Sequence, residues 1–499
     1  MRQISFSHRA LAITSVLLLA LSLLPLYAIS FYNHPFYDDF GFSLLTRAAW
    51  RDTGSPVAVL GAALQNTTGI RNTWEGTYTT SFISAMQPGI FGEGQYWIAT
   101  LVLLTALLLA LWYFLRQALF RALQMDAPTF VVLFCGLAFC MVQFVPDPSE
   151  AFFWFNGGVA YSLLWSLMLF TMGLWLQLER CRGKAKSAVL FALALVLTAA
   201  VGGGKYSTVL FACLCAGLFT LWAFLCKRPK KWLYLALTLV LFACFAFSMA
   251  APGNAVRAKT LQGGMSAPMA IAQALFFGLA LMGHWFSLPL AAVALLAVAL
   301  LLAPLRQSRY AFARPAWVSL GAACFFCAGL APTLFTGNFL GDGRLMNTYF
   351  FTYVLLFTGL VLYWTGWALR KAKKPLLAGG SAGAPVSGRL LLIVVVMLAA
   401  GCVGYRPEGA QSYGPQNMTG GSAALSLLRG EAGQYHREMS ARDAALNDPA
   451  QQAVALRPVT VIPGVFMSDA LQSSSLEYVL SLYAEYYQKE SVTVTPKGE

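Results

Sequence analysis

The feature that most limits this chain is a recurrence: runs of 16–22 apolar residues return along most of its length. Each run is long enough, or nearly so, to cross a hydrocarbon core of roughly 30 Å as a helix. Lipid offers no partner to backbone N–H and C=O groups, so such a run satisfies them only by closing its own helical hydrogen bonds. The runs also lack the alternation of a membrane β-barrel strand. Charge agrees, since 11% of the residues are Asp, Glu, Lys or Arg, where a soluble domain carries about 25%. The expected fold class is an all-α polytopic membrane protein.

Eleven spans are predicted, at 11–31, 95–115, 128–145, 157–178, 187–202, 206–226, 232–251, 287–305, 316–335, 347–369 and 389–405. The Leu-rich core of the first ends without a small-residue cleavage site, so it reads as a retained helix rather than a signal peptide. Residues 269–284 are apolar as well, but Pro268, Gly278 and Gly283 interrupt them, and a re-entrant or interfacial helix is expected there.

Charge placement orients the spans. With the N-terminus inside, the cytoplasmic segments hold 20 of the 34 basic residues and, of the 20 acids, only Asp126 and Glu179, giving +18 inside and −4 outside. This is the positive-inside pattern, and an odd number of spans puts the C-terminal tail outside a plasma (inner) membrane. The basic balance is thereby explained by topology and calls for no nucleic-acid partner. The cytoplasmic loops are short, with Gly379 to Gly388 a flexible linker. Gly202-Gly203-Gly204-Lys205 is too short for a nucleotide-binding loop and lies on the wrong face. Nine of the ten cysteines fall in or near spans and Cys181 in a cytoplasmic loop, while His8, His34, His284 and His436 are scattered. No disulfide framework, metal centre or cofactor is indicated.

Two outer pieces remain. Residues 32–94 form a long first loop within the membrane domain 1–405, and 406–499 form a tail. The tail reads as a small α/β element: a polar helix from Ser422 to Asn447, a strand-like run from Val454 to Ile462, a helix around Leu471 to Gln488, and a strand at Ser491 to Val494.

The outer face also carries the chemistry. Tyr37-Asp38-Asp39-Phe40 follows the first span, and two adjacent carboxylates near a membrane repel one another, which raises one pKa as a general base requires. The plainer reading of the pair is a solvated turn or helix cap; flanking Tyr37, Phe40 and Phe42 favour a pocket. Trp74, Glu75, Glu150, Trp154 and Asn156 follow, and interfacial charges of this kind are costly and tend to be functional. Lys205, Arg257 and Arg344 stand alone at outer helix ends, where each can hold a phosphate or snorkel to headgroups.

These segments carry a resemblance. An acidic pair just after the first span, in a long outer loop of a basic-inside multipass chain, resembles the GT-C superfold of membrane glycosyltransferases. More closely, the chain resembles an uncharacterised bacterial family of GT-C-like multipass proteins. The matching segments are Tyr37-Asp38-Asp39-Phe40, Trp74-Glu75-Gly76-Thr77-Tyr78, Glu150 to Gly158, Gly203-Gly204-Lys205-Tyr206, Ala251 to Arg257 with Asn254, Asp342-Gly343-Arg344 and Tyr486 to Val492. Family members often have Gly-Arg-Tyr or Gly-Arg-Phe where this chain has Gly76-Thr77-Tyr78, so a basic side chain of the pattern is missing.

The resemblance implies sugar transfer from a polyprenyl-phosphate donor to a glycan or lipid acceptor at the outer face. Asp38 or Asp39 would act as general base, and Lys205, Arg257 and Arg344 would hold the donor phosphate as charge develops on it. Trp74, Trp154 and Tyr161 are candidates for stacking on sugar rings, although membrane-belt duty is the commoner role. A transporter or flippase is the main alternative and would show midspan charges and broken helices. An inert assembly protein for envelope polysaccharide is a third. Oligomeric state is not readable.

Overall fold

A computed structural model describes residues 5–260, 263–337, 339–372 and 385–495; most of the linker expected at Gly379 to Gly388 lies outside them. Among the described residues, ten helices are long and apolar enough to cross a membrane, and two shorter apolar helices, Ala127–Gln143 and Gly388–Val403, join them. Every predicted span has a helix at its place. The chain is a multipass, mostly helical membrane protein.

The helices assemble through aromatic and small residues. Trp165, Trp175, Tyr234 and Tyr349 are fully buried between helices. The polar tips of three of them are matched: Trp165 Nε1 donates to Thr352 Oγ1 at 3.0 Å, the Tyr234 hydroxyl to Glu179 Oε2 at 2.7 Å, and the Tyr349 hydroxyl to Gly329 O at 3.1 Å. Outward-facing Leu17, Leu18, Leu21 and Leu24 are exposed, as side chains dissolved in lipid are.

Helix Gly343–Lys371 has 29 residues, or about 43 Å at 1.5 Å per residue, well beyond a roughly 30 Å core. Arg344 lies in its first turn, at a cavity.

Residues 267–284 form one unbroken helix, Ala267–His284. Pro268 sits in its first turn, where a missing N–H costs nothing, and Gly278 abuts Cys327 of a neighbouring helix. The interruption expected from these residues does not occur. The helix starts where the Met265 N–H meets Leu334 O, at 3.2 Å. The next helix, Leu288–Gln307, starts with Pro289 against Gly401, near the last turn of Gly388–Val403. Ala267–His284 is thus itself among the ten helices long and apolar enough to cross a membrane, rather than the interrupted segment expected.

That polar end is built from the first loop and the tail together. The loop is itself helical: Asp38–Phe42, Leu44–Thr53, Pro56–Thr73 and Tyr78–Ser84. The tail's polar stretch is two helices, Thr419–Leu428 and Glu431–Asn447, parted at Gly430 with φ +75°. Strand Ala453–Leu456 pairs in parallel with Ser491–Val494; the strand-like run is cut short by Pro458, which has no N–H to give. Phe40 of the loop packs edge-on against Tyr483 and Tyr486 of helix Leu476–Tyr487, at 4.9 and 5.0 Å between ring centroids. His34 Nε2 and His436 Nδ1 lie 2.9 Å apart across the same seam, so two of the scattered histidines meet.

Candidate functional site

Tyr37 opens the site with φ +47° and ψ −108°, a conformation that costs a non-glycine residue about 1–3 kcal/mol. The bend starts helix Asp38–Phe42 and sends its first two carboxylates in different directions. Asp39 is fully buried. Its Oδ1 accepts the Asn156 N–H at 3.0 Å, and its Oδ2 accepts the Phe36 N–H at 2.9 Å and the Tyr96 hydroxyl. Burial pushes the Asp39 carboxyl up to about 7 against the pull of those three donors. Asp38 is half-buried and faces a cavity of about 170 Å³. Burial raises its carboxyl too, opposed by the nearby charges of Arg344 and Lys205.

Three cations and one further carboxylate close on that cavity: Lys205, Arg257, Arg344 and Glu75, with Trp74, Asn156 and Tyr161 in its wall. Glu75 is the hub. Lys205 Nζ reaches its two oxygens at 2.5 and 2.7 Å, Arg257 Nη1 donates to Oε2, and Thr77 Oγ1 donates to Oε1 at 2.7 Å. Burial would raise the Glu75 carboxyl, but Lys205 and Arg257 outweigh it and hold it at about 2. Thr77 thus supports the Glu75 anion with its hydroxyl.

Two loops cross closely to place Glu75. A Cβ at Gly76 would lie 1.9 Å from Ser248 O, and one at Gly253 would lie 2.5 Å from the Trp74 N. Asn254 stitches them: its Oδ1 accepts the Gly76 N–H at 3.2 Å and the Tyr206 hydroxyl at 2.7 Å, while its Nδ2 donates to Ser248 O at 2.9 Å. Tyr206 and Asn254 therefore stand behind the cavity and fix its wall.

Arg344 is positioned from the other side. Its N–H donates to Glu150 Oε2 at 2.6 Å, and its Nη2 donates to exposed Asp342 at 2.7 Å. The guanidinium lies 5.2 Å from the Trp154 ring centre and 5.8 Å from that of Tyr161. Trp154 is in turn held by its Nε1, which donates to Phe36 O at 3.1 Å. Burial raises the Glu150 carboxyl, opposed by Arg344. Among the described residues, nothing accepts from the buried Nε of Arg344.

The structure thus brings Asp38, Trp74, Glu75, Asn156, Lys205, Arg257 and Arg344 to one cavity, with Glu150, Trp154, Tyr206, Asn254 and Asp342 supporting it. Asp39 lies outside the cavity lining. Tyr96 is a participant the sequence reading missed; a tyrosine at the start of a span gives no local sign that its hydroxyl will meet a carboxylate 57 residues away. Among the described residues, no three His, Cys, Asp or Glu side chains gather so as to hold a metal ion.

Three cations and two carboxylates line the cavity, Glu75 being taken up by Lys205 and Arg257, while Arg344 is also paired with exposed Asp342 outside the lining. The arrangement can receive an anion on Arg344, Arg257 and Lys205 while Asp38 faces it with its carboxyl. Compared with protein-family models, with curated proteins and with solved structures, the chain matches none.

Proposed function

We propose that the protein is a membrane glycosyltransferase of GT-C type, moving a sugar from a polyprenyl-phosphate donor to a glycan or lipid acceptor at the outer face of the plasma membrane. The observation that carries this reading is Asp38 facing Lys205, Arg257 and Arg344 across one cavity at the polar end of a membrane bundle. One lesser point supports it: the short loops are rich in basic residues, and the positive-inside pattern expects such loops in the cytoplasm and hence the cavity end outside.

In this reading the donor's phosphate rests on the three cations. The acceptor hydroxyl oxygen forms a bond to the anomeric carbon as the bond from that carbon to the phosphate oxygen breaks. The electron pair leaves with polyprenyl phosphate, where the cations meet the growing charge, and Asp38 takes the hydroxyl proton. A single displacement of this kind inverts the anomeric centre. Asp39 holds the Asp38 segment against Asn156 and Tyr96.

The test is transfer from a labelled polyprenyl-phosphate sugar in purified membranes. Asp38→Asn should lower the rate by ~10²–10⁴-fold, the usual worth of a general base, with protein level unchanged. Wild-type rates from this variant would remove Asp38 as the base and the transferase reading with it.

A further inference from the structure

A second cavity, of about 260 Å³, lies at the seam between first loop and tail; the proposed transfer makes no use of it. Its cations are Arg47 and Arg51, one turn apart on helix Leu44–Thr53, and Lys489, just past helix Leu476–Tyr487. No acid lines it. We propose that this seam pocket binds an oxyanion carried on a sugar-sized molecule, a phosphate- or carboxylate-substituted saccharide.

Arg47 and Lys489 are held in place by neutral oxygens rather than by ion pairs. Arg47 Nη1 donates to Ile90 O at 2.9 Å and its guanidinium sits 5.6 Å from the Tyr486 ring centre. Lys489 Nζ donates to Asp448 O at 2.5 Å and to Gln451 O at 2.7 Å. Among the described residues, neither has a carboxylate at ion-pair distance, and Arg51 pairs only with its exposed neighbour Asp52. Lys489 is turned into place by Gln488, whose φ of +56° is an uncommon backbone state outside glycine.

The other groups suit a sugar. Amide side chains of Asn447, Gln452 and Gln488 offer both donors and acceptors to hydroxyls, and Tyr487 gives an aromatic wall. The volume lies just below the range of small-molecule sites, about 300–1,000 Å³, which fits one substituted ring. The pocket also abuts the chemistry: Tyr486 and Tyr487, in its wall, pack on Phe40, next after Asp39.

The experiment uses the full-length protein in an uncharged detergent and follows thermal unfolding against glucuronate, glucose and potassium chloride at matched ionic strength. Glucuronate should give a saturable rise, while glucose and potassium chloride give none. Arg51→Gln, which removes a half-exposed side chain ion-paired to exposed Asp52, should weaken the apparent affinity by about tenfold or more, the worth of one charge-assisted contact. Arg344→Gln, in the other cavity, should leave it unchanged. Wild-type affinity in Arg51→Gln, loss in Arg344→Gln instead, or equal effects of glucuronate and chloride would each overturn the proposal. Because the readout is binding, its outcome is separate from that of the transfer assay.

Discussion

Asp38 and Asp39 are neighbours in the chain and occupy opposite environments: Asp38 faces the cationic cavity, while Asp39 is fully buried under three donors. Their isosteric amides should therefore separate. An amide at position 39 keeps one accepting oxygen and in either orientation sets its NH₂ against a backbone N–H, of Asn156 or of Phe36, which cannot accept. Asp39→Asn should lose about 1–3 kcal/mol of stability, the cost of unmatched buried polar groups, and unfold at lower temperature. Asp38→Asn should unfold as wild type does. Equal unfolding temperatures for all three proteins would show that Asp39 does not hold the loop.

Glu75 is the buried centre of a triad with Lys205 and Arg257. Removing one member of such a group leaves the others uncompensated, at about 3–5 kcal/mol. Glu75→Gln should be the least stable of the single cavity variants, and low yield of folded protein is the expected readout. A variant as stable as wild type would mean that water reaches the two cations freely.

Gly76→Ala is a small change with a large expected effect. The new Cβ meets the Ser248 carbonyl, so the loop carrying Glu75 must shift away from Asn254. Transfer should fall together with stability. The same substitution at Gly92, with open space around it, is strained by its φ of +124° but should leave transfer per folded molecule intact. Comparing the two variants by activity per folded protein isolates the steric effect.

Acidity should act on the seam between loop and tail, where His34, Glu93, His436, Asp443 and Tyr487 meet and Arg442 stands close by. Burial and the Glu93 carboxylate push the Asp443 carboxyl up to about 7. Its contribution is full below the ordinary carboxylate range and is lost as pH rises through 7. Burial lowers His34 to about 4 and lowers His436 as well. Their contribution is full above about 6.5 and is lost as pH falls. The two effects oppose each other between those limits. Asp443→Asn deletes the first and should make the unfolding temperature drop steeply from pH 6.5 to pH 4, where wild type is flatter. Parallel curves for variant and wild type would show that the cluster does not couple tail to loop.

The spans were legible because hydrocarbon imposes one periodic demand on every crossing. Lys205, Arg257, Arg344 and Glu75 were legible for a related reason, since a lone charge at a helix end stands out against apolar sequence. The directions of Asp38 and Asp39 were not, because they depend on the Tyr37 backbone and on donors from Asn156 and Tyr96. The meeting of His34 with His436 was not either, for 402 residues separate them and no local pattern joins them. Pro268 and Gly278 looked like breaks because the chain alone does not tell a first-turn proline from an interior one, or a packing glycine from a flexible one.

The packing of Phe40 against Tyr483 and Tyr486 sets an order on biosynthesis. The acidic pair leaves the ribosome before every later span, and its aromatic seat only after them. A nascent chain thus carries Asp38 and Asp39 through the insertion of every later span with Phe40 unseated. Chains released early by truncation or stalling would lodge in the bilayer with a first loop that has no tail to close on.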